Sequence, residues 1–300
     1  TEFDVPEGDT DLAKLLERVR PELISICTFV GSHAPIFDAV KGARPKGILM
    51  EKPFGLCMDD VRRMTDEAAE LGIKLAVNHY RRLAPAFARA REQLDAGAIG
   101  EVQLMSSAVD GWDQMEWGTH WLDMLRFFKH DQDIRWVFGQ VECSGRVGEK
   151  EIYGRKVNYG HVVEDHSVNY CCFEDGTRAV LDAGQSLPGE AVFSFLGTEG
   201  ALYLKPRGVI TVVNADGRRD LEGGSMDAIP DYEGTPIRTA IESLADWVEG
   251  GPVSPIAAES AAKSAELCLA AYESAVRRKR VDLPMGPQPE FPLNAFKPQA

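Results

Sequence analysis

The sequence predicts an α/β fold: a parallel-sheet domain over residues 1–100, an α+β domain with a large, mostly antiparallel sheet over 101–283, and a proline-rich arm over 284–300. Three observations carry this. Short, nearly all-apolar runs alternate with amphipathic helices in the first third, which is the pattern of βαβ crossovers. After Gly100 longer strand-like runs follow one another, separated by polar turns. Beyond Pro284, prolines recur too often for a helix or a strand interior.

Taken in order, Thr10 is placed to cap a helix with Leu12, Leu15, Leu16 and Val19 on one face, and Pro21 ends it. Leu23–Thr28 reads as a strand buried on both faces, His33–Ala43 as a helix, and Gly47–Met50 as a second buried strand. Asp59–Leu71 is a helix with Val61, Met64, Ala68 and Leu71 inward and Gly72 as its stop. Ile73–Asn78 is a third strand, and a helix opening on Pro85 and closing before Gly97 completes the unit. The second domain then reads as strand Val102–Val109 and helix Glu116–Phe128. Strands Ile134–Glu142, His161–Phe173, Thr177–Gln185, Ala191–Leu196, Ala201–Lys205 and Val209–Asn214 follow. Helices Thr235–Glu249 and Ala257–Arg278 close it. Glu174-Asp175-Gly176-Thr177 and Ala215-Asp216-Gly217 are hairpin turns.

A chain of 300 residues with 44% hydrophobic content can bury a sizeable core. Its formal charge of −14 repels phosphate backbones and anionic lipid, which argues against nucleic acid and membrane surfaces as partners. No apolar run approaches the roughly 18 residues of a membrane helix. The six cysteines form no Cys-x-x-Cys pair, which fits reduced core thiols in a cytoplasmic protein.

Glu51-Lys52-Pro53 stands directly after a buried strand, at the carboxyl end of the parallel sheet, where open α/β sheets hold ligands. It is either an ordinary exposed loop or a site in which a partly desolvated Lys52 serves as acid or hydrogen-bond donor, with a cis Lys-Pro bond as one way to aim it. On a helix, Glu116, His120 and Asp123 share a face. A carboxylate there can hold one imidazole nitrogen and leave the other for proton transfer. A satisfied histidine on a solvated helix face is the plainer alternative, and one histidine with hard carboxylates is a thin ligand set for a metal. Trp112, Trp117 and Trp121 read as core, or as a platform for a sugar ring. Asn78-His79-Tyr80-Arg81-Arg82 ends the third strand and is a further candidate, as is His161. No Gly-x-Gly-x-x-Gly, Walker or Gly-x-Ser-x-Gly sequence occurs.

In their order these pieces resemble the glucose-fructose oxidoreductase/inositol dehydrogenase (Gfo/Idh/MocA) family. The matching segments are Ile26-Cys27-Thr28 before a helix with His33, Glu51-Lys52-Pro53, Asn78-His79-Tyr80-Arg81, Gly97–Val102, His120-x-x-Asp123, Glu174-Asp175-Gly176, Gly197–Gly200 and Ala271–Ala275 followed by Arg280–Pro284. The resemblance implies an incomplete Rossmann-type first domain, an open-faced second sheet and assembly into a homodimer or homotetramer. It implies NAD or NADP as cofactor and hydride transfer to or from a secondary alcohol of a sugar or cyclitol. Lys52, His120, Glu116 and Asp123 are then catalytic. Thr28, Phe29, His33, Glu51, Lys52, Pro53, Asn78 and Arg81 line the cofactor, and Lys52, Tyr80, Trp112, Asp123 and His161 the substrate. Some relatives use bound NAD to break glycosidic bonds, and a cofactor-less scaffold is a third possibility.

Three departures stand out. Glu116 replaces the family's Asp, and Gly111-Trp112 replaces a Gly-Gly. The first β-α-β unit, with its glycine-rich phosphate loop and ribose-binding acid, is not present before Thr1, which points to a fragment.

Overall fold

The computed structural model describes residues 7–110, 113–152, 155–184, 192–226 and 235–297. The chain begins with α1 (Leu12–Val19), β1 (Leu23–Ile26), α2 (His33–Lys41), β2 (Gly47–Met50), α3 (Met58–Leu71), β3 (Lys74–Val77) and α4 (Pro85–Asp95). The cap of α1 is Asp11, not Thr10: its carboxylate accepts from the Lys14 amide at 3.2 Å. α3 stops where Gly72 takes φ +72°, a left-handed turn that costs glycine little. The strands pair in parallel in the order β1-β2-β3. β2 is buried at every position, whereas β1 exposes Leu23 and Ser25. Among the described residues β1 lies at the edge of this sheet, and it is less covered than the strand buried on both faces that was expected.

Beyond Gly100 come β4 (Val102–Asp110), a π-turn (Gln114–Gly118), α5 (Thr119–Phe128), β5 (Ile134–Glu142), β6 (Val147–Ile152), β7 (Arg155–Val162), β8 (His166–Phe173) and β9 (Arg178–Gly184). They are followed by β10 (Phe193–Gly197), β11 (Gly200–Leu204), β12 (Val209–Asn214), β13 (Gly217–Glu222), α6 (Pro236–Val248), α7 (Ala258–Arg277) and β14 (Val281–Asp282). Among the described residues nine strands form one sheet, β13-β12-β11-β10-β4-β9-β8-β5-β14, antiparallel throughout except for β4 beside β9. The fold is thus a Rossmann-like parallel sheet followed by a large, mostly antiparallel one.

The run His161–Phe173, expected as one strand, is two. Between them Glu164 turns inward and accepts hydrogen bonds from the Gln114 amide, the Ser167 hydroxyl and the Tyr272 hydroxyl. Asp165 meanwhile accepts from the Ser144 amide and Arg146. Those bonds hold a corner that frees β7 to pair with β6 as a separate hairpin and carry His161 away from the main sheet.

Two helices tie the sheets together. Ala240 and Leu244 of α6, a helix the sequence groups with the second domain, pack on Leu49 and Ala76 of the parallel sheet. On the other face Ile48 and Met50 join a core with Phe37, Val61 and Met64. α7 lies against β5 so closely that a Cβ on Gly139 would stand 2.1 Å from the Ala271 carbonyl oxygen. The proline-rich arm, expected to be extended, folds back onto α3: the Gln288 side chain accepts from the Met58 amide at 2.7 Å, and Leu293 is fully buried in a short helical turn.

Candidate active site

The carboxyl ends of β2 and β3 and the start of α5 converge on one polar cluster. β2 hands the chain to Glu51, whose amide extends the ladder by donating to the Ile26 carbonyl. The Lys52-Pro53 bond is cis. The Lys52 ammonium donates to the backbone carbonyl of Glu116 at 2.5 Å and lies 5.9 Å from the Trp117 ring centre. Glu51 accepts from the Asn78 amide side chain at 2.7 Å. Thr28 accepts from Ser32, and His33, fully buried, has Nε2 3.0 Å from the Thr28 carbonyl. Phe29 reaches the ring of Tyr159 at 5.7 Å, and Pro53 is buried.

His120 is 1% exposed on the first turn of α5 and is ringed by His79, Tyr80 and Trp117, all edge-on to it. Burial lowers its pKa well below the ordinary histidine value, and the charges of Lys52 and Arg81 push the same way. Its Nδ1 has no hydrogen-bond partner among the described residues. The expected carboxylate grip on His120 is absent. Residues 114–118 form a π-turn, closed by the Gly118 amide donating to the Asp113 carbonyl, and its wider winding takes Glu116 off the line above His120. The Glu116 carboxylate instead meets His161 Nε2 at 2.9 Å.

Asp123 also has a different partner from the one expected. Arg82 donates to both its oxygens, at 2.7 and 2.8 Å, and Ser264 donates to it at 2.7 Å. Arg82 simultaneously holds both oxygens of Asp131. Burial favours the neutral acid, but the Arg82 guanidinium outweighs it and holds Asp123 far below the usual carboxylate range. With both oxygens engaged and 1% exposure, Asp123 is an internal tie between α5, α7 and the segment after β3, not a surface that meets a ligand.

Arg81 stacks on Trp121 at 4.3 Å and donates to the Met226 carbonyl. Trp112 lies outside the described residues. The sequence reading included His79 and Arg82 in a candidate segment without giving either a role, and passed over Asp113. His79 is buried beside Asp123, at 3.9 Å, and burial is the main reason its pKa falls to about 4. Asp113 caps the π-turn, accepting from the Glu116 amide at 2.7 Å. Three adjacent polar residues, His79 to Arg82 with one tyrosine between, are a usable signal at the end of a buried strand. Nothing in the local pattern marks Asp113.

Comparison with known proteins bears on the same region. Residues 1–79 match the family described as oxidoreductases with an NAD-binding Rossmann fold. Among curated proteins, the chain is 25% identical over 291 residues to a scyllo-inositol 2-dehydrogenase (NAD(+)) of Bacillus subtilis, covering 91% of this chain and 81% of that one. It is 26% identical to a 1,5-anhydro-D-fructose reductase of Ensifer adhaerens, covering 80% and 74%. Among solved structures, an Agrobacterium radiobacter oxidoreductase in complex with NAD+, L-tartaric acid and magnesium superposes with a TM-score of 0.76 at 18% identity, covering 94% and 85%. Among the described residues no helix is long and apolar enough to cross a membrane.

Proposed function

The chain belongs to the Gfo/Idh/MocA oxidoreductases, and on that premise we propose that it acts as an NAD(P)-dependent dehydrogenase on a secondary alcohol of a sugar or cyclitol. The observation that carries the reading is that Lys52 and a buried, neutral His120 each lie 5.9 Å from the centre of the same ring, Trp117. An imidazole kept unprotonated at neutral pH is a competent acceptor for a hydroxyl proton. The Glu116 carbonyl fixes the direction of the Lys52 ammonium, which is suited to hydrogen-bond the same hydroxyl oxygen.

The carboxyl edge of the parallel sheet also fits a nicotinamide. Asn78 Oδ1 and His33 Nδ1 are buried polar atoms without partners among the described residues, and Glu51 and Thr28 stand beside them. A bound nicotinamide supplies hydride acceptance from the carbinol carbon. His120 takes the hydroxyl proton as the carbonyl forms, Lys52 steadies the oxygen, and the aromatic ring around His120 excludes water. Self-association through the outer face of the large sheet is part of the same proposal.

The test is NADH formation from NAD+ with scyllo-inositol, myo-inositol and unsubstituted hexoses, beside calorimetric binding of NAD+ and NADP+. Lys52→Ala and His120→Ala are expected to lower kcat about 100-fold or more, the usual share of a positioned acid or base. Turnover within a few-fold of wild type in both variants would remove these residues from the mechanism.

A further inference from the structure

Among the described residues, the His161 imidazole has an acceptor at each end. Its Nδ1 lies 2.9 Å from the Val162 carbonyl oxygen, which can only accept. Its Nε2 lies 2.9 Å from Glu116 Oε1. A neutral imidazole carries a single N–H and satisfies one of these, so the pair needs a second proton, shared between Nε2 and the carboxylate. The site is closed around that proton. Tyr159 stacks on the ring at 5.8 Å and 15°, and Phe291 of the C-terminal turn meets it edge-on at 5.4 Å. The titratable groups facing it are Glu116 and Asp113 from the π-turn and Tyr159 from its own strand, whose hydroxyl burial pushes up to about 12 and so keeps neutral.

We propose that His161 is a positioning residue of the reaction, sharing one proton with Glu116 and thereby holding the π-turn whose carbonyl directs Lys52. This rests on the dehydrogenase reading above for its role in turnover, and on geometry alone for the shared proton. Glu116 offers its backbone carbonyl to Lys52 and its side chain to His161, so the orientation of one residue sets both. When the shared proton leaves, the Nε2 lone pair faces the carboxylate oxygens, because the Val162 carbonyl retains the remaining hydrogen on Nδ1. The Glu116 side chain is then repelled and the support under Lys52 loosens. Burial favours a neutral His161, but its hydrogen bonds to Glu116 and to the Val162 carbonyl raise its pKa above the ordinary histidine value, while Asp113, pushed up to about 7 by burial, adds little. The arrangement is therefore intact below that raised value and is lost as the pH climbs through it.

The experiment combines an NMR titration of the His161 ring with pH profiles of scyllo-inositol oxidation by NAD+, on wild type, Glu116→Gln, His161→Gln and His161→Leu. In His161→Gln the amide places a permanent N–H where Nε2 stands. The proposal expects His161 to titrate above the ordinary histidine value in the wild type and to drop in Glu116→Gln. It also expects His161→Gln to stay within a few-fold of wild-type kcat at neutral pH while losing the decline above it, and His161→Leu to lose about 10- to 100-fold in kcat, the scale of a small misplacement. An unchanged His161 titration in Glu116→Gln, or a His161→Gln profile that still declines as the wild type does, overturns it. Absence of NADH formation by every protein defeats the dehydrogenase reading and with it the role in turnover, while the titration, which needs no substrate, still decides the shared proton.

Discussion

The histidines of the cluster are shifted in opposite directions because different groups surround their nitrogens. His161 has two acceptors, whereas burial dominates at His79 and His120, with nearby cations adding to it and Asp123 opposing it at His79. The consequence for stability is clearest at His79, whose folded value is about 4. Its unfolded value is the ordinary one, roughly 6.5. Above the latter both states are neutral and pH has no effect. Between the two values the unfolded chain takes up a proton that the folded protein refuses, so stability falls on acidification through that window. At pH 4 and below the loss amounts to about 3 kcal/mol. His79→Gln is expected to flatten the slope of unfolding free energy against pH in this range by that amount, read from urea titrations. Equal slopes in both proteins would show that His79 charges freely in the fold. At this scale the sequence was informative where a charge ended a buried run. Glu51, Lys52 and Asn78 were visible because apolar strands precede them. The partners of Glu116 and Asp123 were not, since His161, Arg82 and Ser264 arrive from distant segments.

At the scale of elements, β2, α3 and α7 were located almost to the residue, β2 as an unbroken apolar run and the helices by their apolar spacing and their ends. Periodicity missed the π-turn, whose extra residue per turn leaves no mark on an apolar pattern interrupted by Glu116. It also merged β7 with β8, since Glu164 and Asp165 look like solvent-facing strand residues until their hydrogen bonds are known. Gly139 was equally silent, although it sets the distance between α7 and β5. Its Cβ position lies 2.1 Å from the Ala271 carbonyl oxygen, a backbone atom that cannot rotate away. Gly139→Ala must push the helix off the sheet and weaken the hydrogen bond that the Gly139 amide donates to the Ser274 hydroxyl oxygen, 2.9 Å in the native fold. Overpacking of this kind destabilises by about 3 kcal/mol. Because α7 also brings Ser264 to Asp123 and Tyr272 to Glu164, the same substitution is expected to lower turnover. Chemical denaturation with the midpoint unmoved would mean that α7 has room the structure does not display.

For the molecule as a whole, the large sheet has one face packed under α5 and α7 and the other turned outward. Along the outward face Phe138, Leu196 and Val213 are between 39% and 45% exposed, with Tyr170, Val180 and Tyr203 partly exposed on the same face. Single exposed apolar side chains are ordinary, but here aromatic and branched residues recur on the outward face of several strands and expose apolar area that water covers poorly. The net charge of −14 opposes association at long range, so an interface here has to gain from apolar contact. A stable one buries about 800 Å² on each partner, an area a broad sheet can offer and a loop cannot. The sequence showed the sheet and its alternation, but not that these residues share one outward face, because register between distant strands is set by turns and bulges. The expected outcome is a dimer or tetramer by light scattering at micromolar concentration. Phe138→Glu with Leu196→Glu should shift it to the monomer mass and leave the unfolding midpoint of the monomer little changed, since neither side chain is in the core. A wild-type chain that is monomeric across that range, or a doubly substituted chain that stays assembled, would place any assembly elsewhere on the surface.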